Sequence, residues 1–344
     1  VSPATVSTAT VSTAMVSTAT HRAFRRVARP AILAASRSTR LRRAVERMPV
    51  TRSVVRRFVA GEDVDAALAA VATLRASGRL VSVDYLGEDV TDRETATATV
   101  RAYRGLIDAL AAREDLGGDA GGAVRPLEVS LKLSALGQAL PRDGEKIALE
   151  NAHEICTRAG RAGIWVTVDA EDHRSTDSTL TIVRELRADF DWLGTVLQAY
   201  LRRTEADCAD FAASGARIRL CKGAYDEPAS VAYRDPAEVT DAYLRCLNVL
   251  MGGSGYPMVA SHDPVVIAAT PGLARDNDRG AQGFEYQMLY GIRDAEQARL
   301  TAEGDAVRVY VPFGTQWYGY FVRRLAERPA NLTFFLRALS ERAG

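Results

Sequence analysis

Residues 310–335 read YVPFGTQWYGYFVRRLAERPANLTFF, and the stretch past Gly314 predicts a helix. Tyr320, Arg323, Arg324 and Glu327 then stand at i, i+3, i+4 and i+7 and share one helical face. Two adjacent guanidinium forks beside a phenol suit bidentate capture of a carboxylate. The same residues also fit a surface helix with Arg324 and Glu327 as an ion pair, and this stretch alone leaves both readings open. A second set of chemistry-bearing side chains stands at the ends of β-rich runs: Glu88, Lys132, Asp169, Gln198, Lys222, His262, Gln287 and Tyr310. Lysine usage points to two of them. Only three of the 44 basic residues are lysines (Lys132, Lys146 and Lys222), and Lys132 and Lys222 both close apolar runs. An ammonium retained where arginine is the default suggests a tight site that a planar fork would not fit.

These positions imply the elements that hold them. Short β-rich runs recur at 81–86, 128–133, 165–170, 195–200, 217–222, 257–262, 283–288 and 307–312, with helical stretches between them. Eight strands alternating with helices predict parallel βαβ units. An open doubly wound sheet usually has fewer strands, and no G-x-G-x-x-G follows the first one here. The GGDAGG at 117–122 precedes a strand and reads as a loop. The expected fold is therefore a (β/α)8 barrel, whose chemistry collects where strands end and βα loops begin.

Composition bounds the rest. With 47% hydrophobic and 25% charged residues, the 344-residue chain can bury one large core. No apolar run reaches the roughly 18 residues of a membrane span. Cys156, Cys208, Cys221 and Cys246 are scattered, without metal-finger or redox spacing, and read as reduced thiols of a cytoplasmic protein. His262 with Asp169, Glu171, His173, Asp263 and Glu285 resembles a metal mouth in residue type, but closely spaced histidine ligands are missing and no metal is expected. Residues 1–20 repeat VSTAT-like units and are expected to be disordered, with Met15 a candidate start. Residues 21–78 are expected to form a basic helical segment, including a helix over 62–76 stopped by Gly78. Between His21 and Arg57 twelve arginines face one acid, Glu46, which suits an anionic surface or a simply solvated arginine face. Residues 79–344 are assigned to the barrel.

The motifs themselves resemble the proline dehydrogenase family: SLKLSALG at 130–137, VTVDAE at 166–171, LQAYLRR at 197–203, RIRLCKGAYDE at 217–227, ASHDP at 260–264, FEYQMLYG at 284–291 and the arginine-rich helix at 310–335. The resemblance runs from about residue 60 to the C-terminus. It implies a distorted (β/α)8 barrel preceded by N-terminal helices, with FAD at the carboxyl ends of its strands. It further implies that Lys132, Arg323 and Arg324 bind the carboxylate of L-proline, that Tyr310, Tyr320 and Leu289 line the ring pocket, and that Asp169 orients the cations. Arg219 would lie beside the flavin N5 region. Gln198, Lys222, Gly223, Ala224, Tyr225, Ser261, His262, Glu327 and the backbone at Ala170 would contact FAD. Glu88 would pair with Arg219 and help close the site. Ser261 stands where threonine is common and keeps the hydroxyl.

Taken with the chemistry, this implies hydride removal from the carbon beside the ring nitrogen, giving Δ1-pyrroline-5-carboxylate, with no dedicated nucleophile needed. A membrane quinone is the electron acceptor the resemblance suggests, with peripheral contact to an anionic membrane at its inner face and no nucleic acid partner. Three other readings are a hydroxyproline dehydrogenase, a non-catalytic barrel that senses proline, and a DNA-binding regulator that uses the basic N-terminus. Tyr320 separates the first: the resemblance places its phenol against the far side of the ring, where a 4-hydroxyl would need the space. Tyr320→Ser is expected to lose activity on proline and to narrow the gap between proline and 4-hydroxyproline, read as kcat/KM for both substrates. An unchanged ratio in the variant would exclude Tyr320 as the discriminator.

Overall fold

The computed structural model describes residues 55, 57–117 and 124–327, except the side chains of 323–327. The expectations for 1–20 and for most of the basic segment lie outside the described residues. The chain divides into two compact units, Phe58–Thr315 and a second of Val1–Arg57 with Gln316–Gly344.

The first unit is an eight-stranded closed barrel. Its elements run α1 (Val64–Ala76), β1 (Leu80–Tyr85), α2 (Arg93–Ala111), α3 (Glu114–Gly117), β2 (Leu127–Leu131), α4 (Gly144–Arg161), β3 (Trp165–Val168), α5 (Thr176–Asp189) and β4 (Gly194–Gln198). They continue through α6 (Thr204–Ala213), β5 (Arg217–Cys221), α7 (Pro236–Gly252), β6 (Tyr256–Ala260), α8 (Pro264–Asp276), β7 (Glu285–Leu289), α9 (Asp294–Ala302) and β8 (Val307–Phe313). The strands pair in sequence order and β1 closes on β8, all in parallel. The expected (β/α)8 fold is what forms, and α1 precedes it.

Local chemistry explains the helix limits. Asp63 caps α1 by accepting from the Ala66 amide at 2.8 Å, and Asp92 caps α2 through the Thr95 amide at 2.7 Å. Asp235 and Asp263 cap α7 and α8, each followed by proline in the first turn, where its missing N–H costs nothing. Gly78, at φ 80°, follows the end of α1, as the stop signal predicts. The helix expected over 62–76 thus starts two residues later, because Asp63 serves as its cap.

Strand alternation then separates two interiors. Val81, Val83, Val129, Leu131, Val166, Val168, Ile218, Leu220, Val309 and Val311 are buried in one apolar cluster with residues of the surrounding helices. The alternate positions carry Ser82 and Asp84, Glu128 and Ser130, Arg217 and Arg219, Glu285 and Gln287, and Arg308 and Tyr310, bonded to one another across the barrel. The usual barrel lumen is filled by branched apolar side chains. This one is filled by paired charges.

Arg308, fully buried on β8, anchors the lower part of that lumen. It gives Glu285 two bonds, at 2.7 and 3.0 Å, and donates to the carbonyls of Val81 and Arg125 at 3.1 and 2.9 Å. Truncation would strand a buried carboxylate and two carbonyls, and breaking one side of such a pair costs about 3–5 kcal/mol. Arg308→Met is expected to lower the unfolding free energy by that amount, seen as a lower urea midpoint at an unchanged slope; a wild-type midpoint would show that the pair does not hold the barrel.

Candidate active site

The charged lumen rises from Arg308 toward the carboxyl ends of the strands. Glu128 on β2 stands between two arginines of β5, at 2.5 Å from both Arg217 and Arg219. Burial alone would raise its pKa, yet Arg217, Arg219 and Arg308 together hold it well below the usual carboxylate range. Arg219 is the hub. Its Nε donates to Gln287 at 2.5 Å, Nη1 to Ser130 at 2.8 Å and Asp169 at 2.7 Å, and Nη2 to Ser82 at 3.2 Å and Glu128 at 2.5 Å. All five guanidinium donors are committed within the barrel. Glu88, after β1, acts on Lys132, where its charge helps hold the ammonium.

Above Arg219 four groups meet at the mouth. Asp169 accepts from Arg219 through Oδ1 and from the Tyr310 hydroxyl at 2.6 Å through Oδ2, which also lies 3.5 Å from Lys132 Nζ. Asp84 holds Lys132 through both oxygens, at 3.0 and 2.9 Å. Desolvation opposes the charge on Lys132, but Asp84, Asp169 and Glu88 outweigh it and keep its pKa well above the ordinary value. Burial, then the Asp169 and Asp84 carboxylates, raise the Tyr310 phenol, so it stays a neutral donor. Its ring lies 5.3 Å from the Arg219 guanidinium.

Two arcs of strand ends flank this cluster. Leu289 ends β7 in register with Tyr310 on β8, and Lys132 follows β2, which places these three expected substrate residues within the run of strands β7, β8, β1 and β2. On the other side, Gln198 ends β4, Lys222 follows β5, and Ser261 and His262 follow β6. Lys222 is held by Thr240 at 2.6 Å and Asp263 at 2.5 Å, and Ser261 accepts from the Asp263 amide at 3.1 Å. His262 joins the arcs, its Nε2 accepting from the Leu289 amide at 3.0 Å. Ala170 follows Asp169, and Gly223, Ala224 and Tyr225 follow Lys222. The expected clamp stands apart from this account. Tyr320, Arg323, Arg324 and Glu327 share helix α10 (Trp317–Glu327) of the second unit, and the side chains of the last three lie outside the described residues.

Sequence reasoning missed Asp84, Glu128, Arg217 and Arg308. A signal existed: their strands carry polar residues at every second position, as in Glu128-Val129-Ser130-Leu131-Lys132. Among the described residues, no group of three His, Cys, Asp or Glu side chains is placed to hold a metal ion. Nor is any described helix long and apolar enough to cross a membrane.

Glu171 adds a titrating group beside the mouth. It accepts from the Ser134 hydroxyl at 2.6 Å and amide at 3.1 Å, while its carbonyl takes the Gln198 amide at 2.8 Å. Burial pushes its carboxyl up to about 7 against those hydrogen bonds. A folded-state pKa above the unfolded one means the native state binds the extra proton, so stability falls as pH rises from the ordinary carboxylate range to about 7, then levels. In Glu171→Gln that loss disappears. The melting temperature of the variant relative to wild type is expected to be higher at about pH 8 than at about pH 5; a difference independent of pH would refute the shift.

Comparison with known proteins places these observations. A family model described as proline dehydrogenase matches residues 67–337. Proline dehydrogenase 1 of Bacillus subtilis is 39% identical over 290 residues, 84% of this chain and 91% of that protein. The proline dehydrogenase of Deinococcus radiodurans is 38% identical over 289 residues, 83% and 90% of the two chains. Among solved structures, proline utilization A from Bdellovibrio bacteriovorus, inactivated by N-propargylglycine, is similar with a TM-score of 0.73 at 26% identity, over 80% of this chain and 32% of that one. Proline utilization A of Bradyrhizobium japonicum gives 0.67 at 25% identity, over 82% and 31%. The chain thus spans about a third of those longer proteins but nearly the whole of the curated relatives, and with its closed barrel and its family match across 67–337 it belongs to the proline dehydrogenase family.

Proposed function

We propose that the chain oxidises L-proline to Δ1-pyrroline-5-carboxylate with FAD at the mouth of the barrel, and that a membrane quinone takes the electrons. The observation that carries this reading is the buried ammonium of Lys132, fixed by Asp84 and Asp169 beside the Tyr310 hydroxyl. A carboxylate brought to that ammonium is oriented by it and by Tyr310, while Leu289 offers the apolar wall for a saturated ring. Lys132 together with Arg323 and Arg324 would disfavour a second positive charge on the substrate amine, which eases its deprotonation before the imine forms. Arg219 acts from below by fixing Asp169, and through it the ammonium and the phenol.

The donor set on β4–β6 suits FAD. Lys222 and His262 bring a cation and an imidazole for a diphosphate, and Gln198 and Ser261 bring an amide and a hydroxyl for polar ring edges. Ala170, Gly223, Ala224, Tyr225 and Glu327 complete the proposed contacts. When bound, the cofactor supplies the two-electron acceptor for the substrate hydride. The arginine-rich 21–57 stretch, outside the described residues, is the part of the chain that suits an anionic membrane, which would place the protein at the inner face near its quinone.

Anaerobic addition of L-proline to the purified yellow protein tests the reading. Loss of the flavin's visible absorbance is the expected result. Protein that binds proline but keeps its colour would instead be a sensor, and protein that purifies without flavin would remove the FAD assignment.

A further inference from the structure

Beside the catalytic cluster, three βα loops are tied together by one carboxylate. Glu227, on the loop after β5, is 6% exposed, yet its side chain is shared by residues from two other loops. His173, opening the turn after β3, donates its backbone amide to Oε1 at 2.9 Å, and its Nδ1 makes a very short contact with Oε2. Tyr200, after β4, reaches Oε1 with its hydroxyl at 3.4 Å. The same tyrosine lies against the segment that leads to Glu227: its amide donates to the Lys222 carbonyl at 3.0 Å, and a Cβ on Gly223 would stand 2.2 Å from its ring. Gly223 sits at φ 105°, so neither the space nor the backbone there admits another residue easily. Arg234 secures the far end, donating to the Glu227 carbonyl at 3.1 Å and pairing with Asp226 at 3.0 Å.

We infer that His173 and Glu227 form a latch that ties the loop after β3 to the loop after β5 across Tyr200, and that this latch holds Lys222–Tyr225 in the shape that retains FAD. The inference rests on the FAD reading above. Backbone bonds from Arg202 to Val231 and from Tyr233 to Tyr200 also join the loops after β4 and β5, and a segment left to order itself on binding would spend affinity on its own conformational entropy. A desolvated carboxylate accepting two bonds from one residue is worth more than a neutral contact and fixes direction as well as distance. His173 and Glu227 are positioning residues: they act on the cofactor through Tyr200 and Gly223, not by touching substrate.

Release of FAD from the purified flavin-loaded protein, followed as the rise of free-flavin fluorescence after dilution, tests the latch. Glu227→Gln and His173→Ala are each expected to release FAD about tenfold faster, the effect of losing about 1.4 kcal/mol. The double variant should release it no faster than the faster single one, because the two side chains form one contact. His173→Asn, whose side-chain amide can donate from nearly the position of Nδ1, should restore slow release. Should Glu227→Gln fail to fold, the pair His173→Ala and His173→Asn still decides the matter. Wild-type release rates in both single variants, additive effects in the double, or no rescue by asparagine would overturn the latch. A wild-type protein that carries no flavin would overturn the FAD reading itself and the latch's role with it.

Discussion

The constraint on which the barrel depends is the satisfaction of Arg219. A guanidinium only 5% exposed would be prohibitive without partners, and it finds five, on β1, β2, β7 and just past β3. That geometry is available only if the strands close into a ring, since no open sheet brings β2, β3 and β7 around one side chain of β5. It also fixes register. A slip of one residue in any of these strands would turn its charges outward among the helices and its valines inward. The charges are balanced: Arg217, Arg219, Arg308 and Lys132 stand against Asp84, Glu128, Asp169 and Glu285, all buried. Such a lattice does not by itself make a protein more stable than an apolar core would. It makes one arrangement of the eight strands far better than its neighbours.

The lattice passes its geometry to the mouth through Asp169. One carboxylate oxygen is held by Arg219 and the other by Tyr310, with Lys132 within ion-pair distance. The three groups that would meet a substrate carboxylate or ring are therefore not free to rotate independently. Their positions are set by strands β2, β5 and β8 and by the turn after β3. The loops on the β4–β6 side are bound differently, by contacts among themselves, and this division separates a half of the mouth positioned by strand residues from a half whose shape depends on loop-to-loop ties. It is a physical reason to expect substrate geometry and cofactor retention to respond to different substitutions.

The fold was legible because its signals are local and repeated. Eight β-rich runs appear where the eight strands form, and the caps at Asp63, Asp235 and Asp263 follow rules that need no tertiary knowledge. Lys132, Asp169 and Gln198, which close or follow their strands, were legible for the same reason, whereas Tyr310 lies within β8 and not at its end. The lumen was not. Glu128 and Arg217 sit inside runs whose apolar residues dominate the reading, and only the knowledge that both faces of the strands are buried turns the alternation into a list of inward charges. The partners of Arg219 were hidden for a further reason: they include Ser82, Ser130 and Gln287, contributed by three separate strands.

The scarcity of lysine now has a structural account. In a chain that uses arginine almost everywhere, Arg219 sits where a wide planar fork must reach four other segments of the barrel, and no ammonium has the span or the donor number for that task. Lys132 faces the opposite demand. Its ammonium lies within 3.5 Å of Asp84, Asp169 and Tyr310. Those acceptors converge on a point, so a guanidinium there would push one of them aside. Lys222 shows the same convergence, between Thr240 and Asp263. At the barrel mouth the site geometry expresses one rule: where partners are spread, the chain has arginine, and where they converge on a single charge, it has lysine, whereas the exposed Lys146, 3.9 Å from Glu150, lies outside that rule.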